Sequence, residues 1–342
     1  MFIVSSYAVA VALCVVTMIC WGSWANTQKL AGTRWRFELF YWDYVFGVLL
    51  MALIFAFTLG SIGSDGRGFL NDLRQAAPAS IGSAFLGGMI FNAANILLVA
   101  SIAVAGMSVA FPVGIGMALV LGVLINYWAE PKGNAVELFA GVAFVAAAIV
   151  LDALAYRRLP GQGNRGRAMG LVLAVLCGLT MGFFYRFVAA AMPPTSTEPG
   201  VVNFLVMPAG KISPYTAMVL FSLGVLASQV LFNFANIIKM LTTVPVPKSD
   251  YLAGTATDHL WGVVGGMIWS VGMTLSLIAS GIAGIPISYG LGQGATMVAA
   301  LWGVFIWREF REAPKGTGKL LVLMFAGYVV GLALIILAGL KG

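Results

Sequence analysis

The chain has 342 residues, of which 61% are hydrophobic and only 9% are charged, and its mean hydropathy is +0.97. These proportions leave too little polar surface to cover a water-soluble protein of this size, so they predict an integral membrane protein. We attribute the net charge of +7 to basic residues in the loops. The sequence shows no basic patch interleaved with aromatic residues, which is the pattern that would indicate binding to nucleic acid.

Ten apolar segments follow one another along the chain, each long enough to cross about 30 Å of hydrocarbon as an α-helix. The first segment could pass for a signal peptide, but it lacks a basic leader, and we interpret it as an uncleaved helix. The predicted spans are residues 6–28, 39–62, 80–104, 107–128, 134–155, 168–190, 214–240, 257–280, 285–307 and 318–340.

Lysine and arginine residues favour one side of this topology, since 13 of the 19 fall in the first, third, fifth, seventh and ninth loops. Short loops rich in these residues stay on the cytoplasmic side. Both termini are therefore predicted on the non-cytoplasmic side of the cell's inner membrane. The 13 residues are Lys29, Arg34, Arg36, Arg157, Arg158, Arg165, Arg167, Lys239, Lys248, Arg308, Arg311, Lys315 and Lys319.

The two halves of the chain share short motifs at matching positions. The sequence GGMI at 87–90 recurs at 265–268, and Gly106 matches Gly284 at the same offset of 178 residues. With five spans in each half, the second half would insert upside down, which gives two inverted five-helix repeats. Chance similarity between glycine-rich apolar helices is the alternative. The predicted units are residues 1–158, the short loop 159–167 and residues 168–342.

Polar side chains near the middle of the predicted spans mark either helix contacts or the path of a solute. Asn92 and Asn95 lie on one face of the third span, and Gln293 lies at a comparable depth in the ninth. Amides donate and accept hydrogen bonds, which suits a polar, uncharged ligand. Trp269 is either a stacking platform or an aromatic filler. The other predicted substrate-binding residues are Thr180, Gln229, Thr296 and Trp24.

Asp43 is the predicted site of proton coupling, because it lies in the second span among aromatic residues that could remove its carboxyl group from water. The alternative for this residue is an interfacial carboxylate paired with Arg34 or Arg36. Arg186, late in the sixth span, is either a counter-ion for the substrate or Asp43, or a side chain that reaches the nearer interface.

Enzymatic chemistry finds little support in the sequence. The sole histidine, His259, lies at the boundary between a loop and a helix, with no cysteine near it. Cys14, Cys20 and Cys177 all lie within apolar runs, where they act most simply as small hydrophobic residues. We therefore expect no enzymatic activity, no metal ion and no cofactor.

Several motifs together resemble the ureide permease family of the drug/metabolite transporter superfamily. They occur in the same order over most of the chain: Gly22–Trp24, Tyr41–Tyr44, Ala56–Gly63, Asn95, Gly106–Ser108, Asn126–Tyr127, Pro247–Ser249 and Trp302–Arg311. The resemblance implies a ten-helix carrier that imports small polar compounds, such as allantoin and uracil, with protons. Plant members carry a long loop between the halves, whereas this chain has only the segment Tyr156–Arg167.

A fainter similarity to L-rhamnose–proton symporters and glucose/ribose uptake proteins makes a monosaccharide a rival substrate. The sequence thus predicts a secondary transporter that imports a small polar, uncharged solute by alternating access, with a homodimer as one option for its assembly. The alternatives are a drug or metabolite exporter, a proton-independent sugar uniporter and a non-transporting scaffold. An exporter of lipophilic cations needs a deep acidic residue, and none is predicted at the midplane.

Overall fold

The computed structural model describes residues 1–32, 35–159, 167–194, 204–234 and 248–341 of the chain. The described residues contain helices, turns and loops, and no β-strand. Ten of these helices are long and apolar enough to cross a membrane, which confirms the prediction of an all-α integral membrane protein with ten spans. They are α1 (Tyr7–Ala31), α2 (Phe37–Phe57), α3 (Pro78–Ala105), α4 (Pro112–Ala129), α5 (Ala135–Tyr156), α6 (Arg167–Ala191), α7 (Pro214–Phe234), α8 (Ala256–Ala283), α9 (Ile285–Ile306) and α10 (Thr317–Leu340).

The predicted end of the second span, at residue 62, is wrong. Helix α2 ends at Phe57, and Thr58 leaves the helical region with φ −105° and ψ −92°. Leu59 and Ile62 extend the apolar character of the segment beyond this turn, so hydropathy alone did not mark it. The predicted end of the seventh span at residue 240 lies outside the described residues, as do Arg34 and residues 160–166 of the loop between the predicted repeats.

Several helices are interrupted. Helix α1 breaks at Trp24–Ala25, and α9 breaks at Gln293–Gly294 before it ends in a π-helical turn at Trp302–Ile306. A second π-helical turn, Phe111–Ile115, contains Pro112, which has no backbone N–H to donate. Such breaks free backbone polar groups at membrane depth, and bundles tolerate them where other helices or a cavity satisfy those groups.

Single glycines join two pairs of consecutive helices. Gly106 lies between α3 and the helical turn that begins at Met107, and Gly284 lies between α8 and α9. Their φ angles of 77° and 85° are strained for any residue with a Cβ atom, which explains glycine at both places. The chain therefore passes from one span to the next without a loop.

Helices α2, α3, α7 and α8 pack in pairs, with α3 on α7 and α8 on α2. A Cβ atom on Gly266 of α8 would lie 1.9 Å from the carbonyl oxygen of Tyr44. A Cβ atom on Gly88 of α3 would lie 2.0 Å from the carbonyl oxygen of Phe221. Both distances are far below van der Waals contact, so each helix pair crosses at a glycine, backbone against backbone.

Candidate functional site

A network of neutral polar side chains lies buried between α2, α3 and α7. The Tyr41 hydroxyl donates to Oδ1 of Asn92 at 2.9 Å and accepts from Nδ2 of Asn95 at 3.2 Å. Nδ2 of Asn92 donates to the Ser228 hydroxyl at 3.0 Å and to Oε1 of Gln229 at 3.4 Å. All five side chains are buried, and none of them carries a formal charge at neutral pH.

Two polar groups beside this network have no hydrogen-bond partner among the described residues. They are Nε2 of Gln229 and the hydroxyl of Tyr44, and both side chains are fully buried. Tyr44 stacks on Tyr41 with a distance of 5.2 Å between ring centroids. A buried donor without a partner costs about 1–3 kcal/mol, so these two groups favour a ligand that accepts hydrogen bonds.

Aromatic rings cover Trp269, the predicted stacking residue. Its ring centroid lies 4.4 Å from that of Phe91, 5.8 Å from that of Phe221 and 5.9 Å from that of Trp21. The residue is only 5% exposed, so a solute could stack on it only after one of these rings moved. Trp24, at the break in α1, lies 4.7 Å from the Tyr44 ring and borders the same cluster.

Among the predicted substrate-binding residues, the structure brings together Asn92, Asn95 and Gln229, but it does not bring Gln293 into contact with them. Gln293 lies at the break in α9 and is half-buried. The Thr296 hydroxyl donates to the Gln293 carbonyl oxygen at 2.9 Å.

Thr180 satisfies its hydroxyl within its own helix, on the carbonyl oxygens of Leu176 at 2.7 Å and Cys177 at 3.0 Å.

A second cluster surrounds Asp43, where α2 meets the start of α8. The Tyr251 hydroxyl donates to Oδ1 of Asp43 at 2.5 Å, and Nδ1 of His259 lies 2.9 Å and 3.1 Å from the two carboxyl oxygens. Asp43 is 3% exposed. Tyr251 belongs to a short helix before α8, and burial, followed by its hydrogen bond to Asp43, raises the pKa of its phenol above the ordinary value. The phenol therefore stays a donor at neutral pH.

The structure bears on the alternatives that the sequence left open for charged residues. Arg36 does not pair with Asp43 but lies 3.5 Å from Asp250, because Asp43 points towards α8. Arg186 is not a counter-ion for Asp43, since its Nη1 lies 2.8 Å from Oε1 of Glu130. His259, which the sequence left without a role, lies within hydrogen-bonding distance of Asp43, although 216 positions separate the two residues.

Sequence reasoning also missed three hydrogen-bonding residues: Tyr41, Ser228 and Tyr251. Tyr41 carried a usable signal, because it lies in the aromatic motif Phe40–Tyr44 around Asp43. Ser228 and Tyr251 carried none, since a serine in an apolar helix and a tyrosine in a loop are both common. Only the packing of α7 and of the short helix Lys248–Leu252 brings them to their partners.

Comparison with known proteins gives one consistent result. The family model described as ureide permease matches residues 40–165 and 154–338. Ureide permease 1 of Arabidopsis thaliana is 21% identical over 383 residues, and ureide permease 4 of the same plant is 23% identical over 401. Each alignment covers 98% of both chains. A crystal structure that covers 96% of this chain and 98% of its own matches with a TM-score of 0.59 at 17% identity, which shows the fold alone.

Proposed function

The chain belongs to the ureide permease family, and from this we propose that it is a secondary transporter that imports a small, polar, uncharged solute of the ureide or oxo-heterocycle class. The observation that carries the proposal is the neutral network around Tyr41, Asn92 and Gln229. Ureides and oxo-heterocycles present alternating N–H and C=O groups, which amides and phenols complement in both directions. A charged solute would lack a counter-charge among these side chains.

Alternating access between two inverted repeats is part of this proposal, and the glycine crossings support it. At the α2–α8 contact a Cβ on Gly47 would lie 2.1 Å from the Val263 carbonyl oxygen. At the α3–α7 contact a Cβ on Gly224 would lie 2.0 Å from the Phe85 carbonyl oxygen. The paired positions are 177 and 178 residues apart, so both crossings follow one repeated pattern. Two equivalent hinge contacts are what a rocking motion of the repeats requires.

We assign proton coupling to Asp43, with His259 as its partner. A carboxyl group and an imidazole within hydrogen-bonding distance can hold one proton between them. Tyr41 and Asp43 are two residues apart on α2, so movement of this helix would affect the solute network and the proton pair together. The predicted orientation places the Asp43 pair towards the cytoplasm, with both termini on the opposite side of the inner membrane.

Uptake into proteoliposomes tests the function directly. Purified protein would be reconstituted and supplied with labelled allantoin, uracil, rhamnose or glucose, with and without an imposed inward proton gradient. We expect accumulation of allantoin or uracil only with the gradient and only in liposomes that contain protein. Accumulation of a sugar instead would overturn the substrate class, gradient-independent equilibration would overturn proton coupling, and no uptake of any compound would overturn import.

A further inference from the structure

Two ion pairs tie helix ends together at opposite ends of the bundle. Nζ of Lys29, near the end of α1, lies 2.5 Å from Oε1 of Glu309, just after α9. Nη1 of Arg186, near the end of α6, lies 2.8 Å from Oε1 of Glu130, just after α4. Helix α4 is an even-numbered span and α9 an odd-numbered one, so their carboxyl-terminal ends lie on opposite sides of the membrane. On each side, a basic residue and a glutamate hold two helices together.

The residues around the two glutamates match in sequence and in backbone conformation. Each glutamate is the third residue of a tripeptide that begins with tryptophan, at 128–130 and 307–309. The sequence PKG follows in both places, at 131–133 and 314–316, shortly before the next span. The glycine of this sequence has φ 86° in the first place and 91° in the second. The two glutamates therefore occupy equivalent positions in the proposed repeats, in which α4 corresponds to α9 and α1 to α6.

The helices joined by these ion pairs also cross at glycines. A Cβ atom on Gly22 of α1 would lie 2.5 Å from the carbonyl oxygen of Ala295 in α9. A Cβ atom on Gly178 of α6 would lie 3.0 Å from the carbonyl oxygen of Gly114 in α4. Lys29 and Arg186 each follow the glycine by about two helical turns. In both helix pairs, the ion pair thus fastens the ends beyond a close backbone crossing.

Side chains alone hold the end of α1 on α9. The indole of Trp302 donates to the Ser23 hydroxyl at 2.9 Å, and that of Trp307 donates to Oδ1 of Asn26 at 2.6 Å. Nζ of Lys29 lies 4.8 Å from the centroid of the Trp307 ring. Because these bonds involve side chains, the contact can break and form again while both helices keep their backbone hydrogen bonds.

Helices α1 and α6 both border the buried residues around the solute network. The ring of Trp24 in α1 lies 4.7 Å from that of Tyr44. The ring of Phe184 in α6 lies 5.1 Å from that of Phe91, which in turn contacts Trp269. Displacement of either helix would therefore uncover the buried cluster from the side on which its ion pair lies.

We propose that the ion pairs Lys29–Glu309 and Arg186–Glu130 are the two gates of the solute path, one on each side of the membrane. This inference rests on the alternating access of the proposed function, which requires the path to open to one side at a time. Both pairs are formed in this structure, in agreement with the burial of the solute network. Breaking the first pair frees α1 from α9, and breaking the second frees α6 from α4.

The accessibility of a single cysteine tests the gates without any solute. The three native cysteines would be replaced by alanine, and Ser228→Cys would place one thiol in the buried network. Membrane vesicles of both orientations would then be treated with a membrane-impermeant methanethiosulfonate. We expect Lys29→Ala to speed modification about fivefold from the side of Lys29, and Arg186→Ala to do so from the opposite side. The effect is modest because partly exposed ion pairs contribute little energy.

Two further variants separate gating from a general loss of packing. Lys341→Ala breaks an ion pair with Glu137 that joins α5 to α10, and it should leave the modification rate unchanged from both sides. The double variant Lys29→Glu with Glu309→Lys restores opposite charges, so modification should become slow again. A misfolded protein would not regain this protection.

The side from which the thiol reacts decides the outcome. Faster modification from both sides in Lys29→Ala or Arg186→Ala, or no change in either variant, would overturn the gates. Side-specific modification in a protein that takes up no ureide in proteoliposomes would support the gates and overturn the proposed substrate. Failure of the gates is thereby distinguished from failure of the proposed function.

Discussion

Helix α2 carries two different kinds of chemistry within three residues. Tyr41 faces α3 and joins a network of amides and hydroxyls, whereas Asp43 faces α8 and joins a histidine and a phenol. Residues two apart on a helix point to nearly opposite sides, so the two sets are separated by the width of α2. Under the proposed function, recognition of the neutral solute and handling of the proton are therefore assigned to separate faces of one helix.

Among the changes that test this comparison, removal of the Asn92 side chain should reduce transport most. Asn92→Ala leaves Tyr41, Ser228 and Gln229 with unmade hydrogen bonds in a buried site, a cost of about 2 kcal/mol or more. We expect solute exchange and gradient-driven uptake both to fall by about 30-fold in kcat/KM, with normal amounts of protein in the membrane. Asn126→Ala is the matched control, because Asn126 is equally buried but donates to its own helix. Equal losses in both variants would show that the effect is structural.

Removal of the charge on the other face should separate the two activities. Asp43→Asn keeps the side-chain shape but can no longer bind and release a proton. We expect concentrative uptake to disappear while exchange of labelled for unlabelled solute stays within about twofold, since the Tyr41 face is intact. Asp250→Asn, at a half-exposed carboxylate paired with Arg36, serves as the control. If exchange fell together with uptake, Asp43 would belong to the solute site.

A smaller effect is expected from a change to Tyr251, whose phenol donates a hydrogen bond to Asp43. Tyr251→Phe removes one hydrogen bond to the carboxylate, worth about 1–2 kcal/mol. That bond favours the charged form of Asp43, so without it the carboxyl group keeps its proton to higher pH. The midpoint of the pH profile of uptake should therefore move upwards by about one unit. A profile that does not move would exclude Tyr251 from proton coupling.

The smallest effect is expected for Thr180, and it tests whether α6 contributes to the solute site. Thr180 belongs to the set predicted from the sequence, yet its hydroxyl bonds to carbonyl oxygens of α6. Thr180→Ala should leave KM for the solute and the maximal rate within about twofold of the parent values. A clear rise in KM would place α6 at the solute site and enlarge the network described here.

The sequence predicted the spans well because hydropathy reports on the solvent of each segment, whatever its neighbours are. It also selected Asn92, Asn95 and Gln229, since amides at bilayer depth are unusual enough to stand out. It could not join them to Tyr41, nor Asp43 to His259, because those contacts depend on which helices pack together. The same limit explains why the sequence grouped Gln293 with these amides. Its depth in the membrane is comparable to theirs, but its helix, α9, packs on α1 rather than on α3.

The single-residue connections at Gly106 and Gly284 bear on how the protein is made. With no loop between them, α3 and the helical turn that leads into α4 are covalently tied at one residue, and α8 and α9 are linked in the same way. We therefore expect each pair to enter the bilayer together, as a hairpin. Synthesis of the later helix would then precede the final placement of the earlier one.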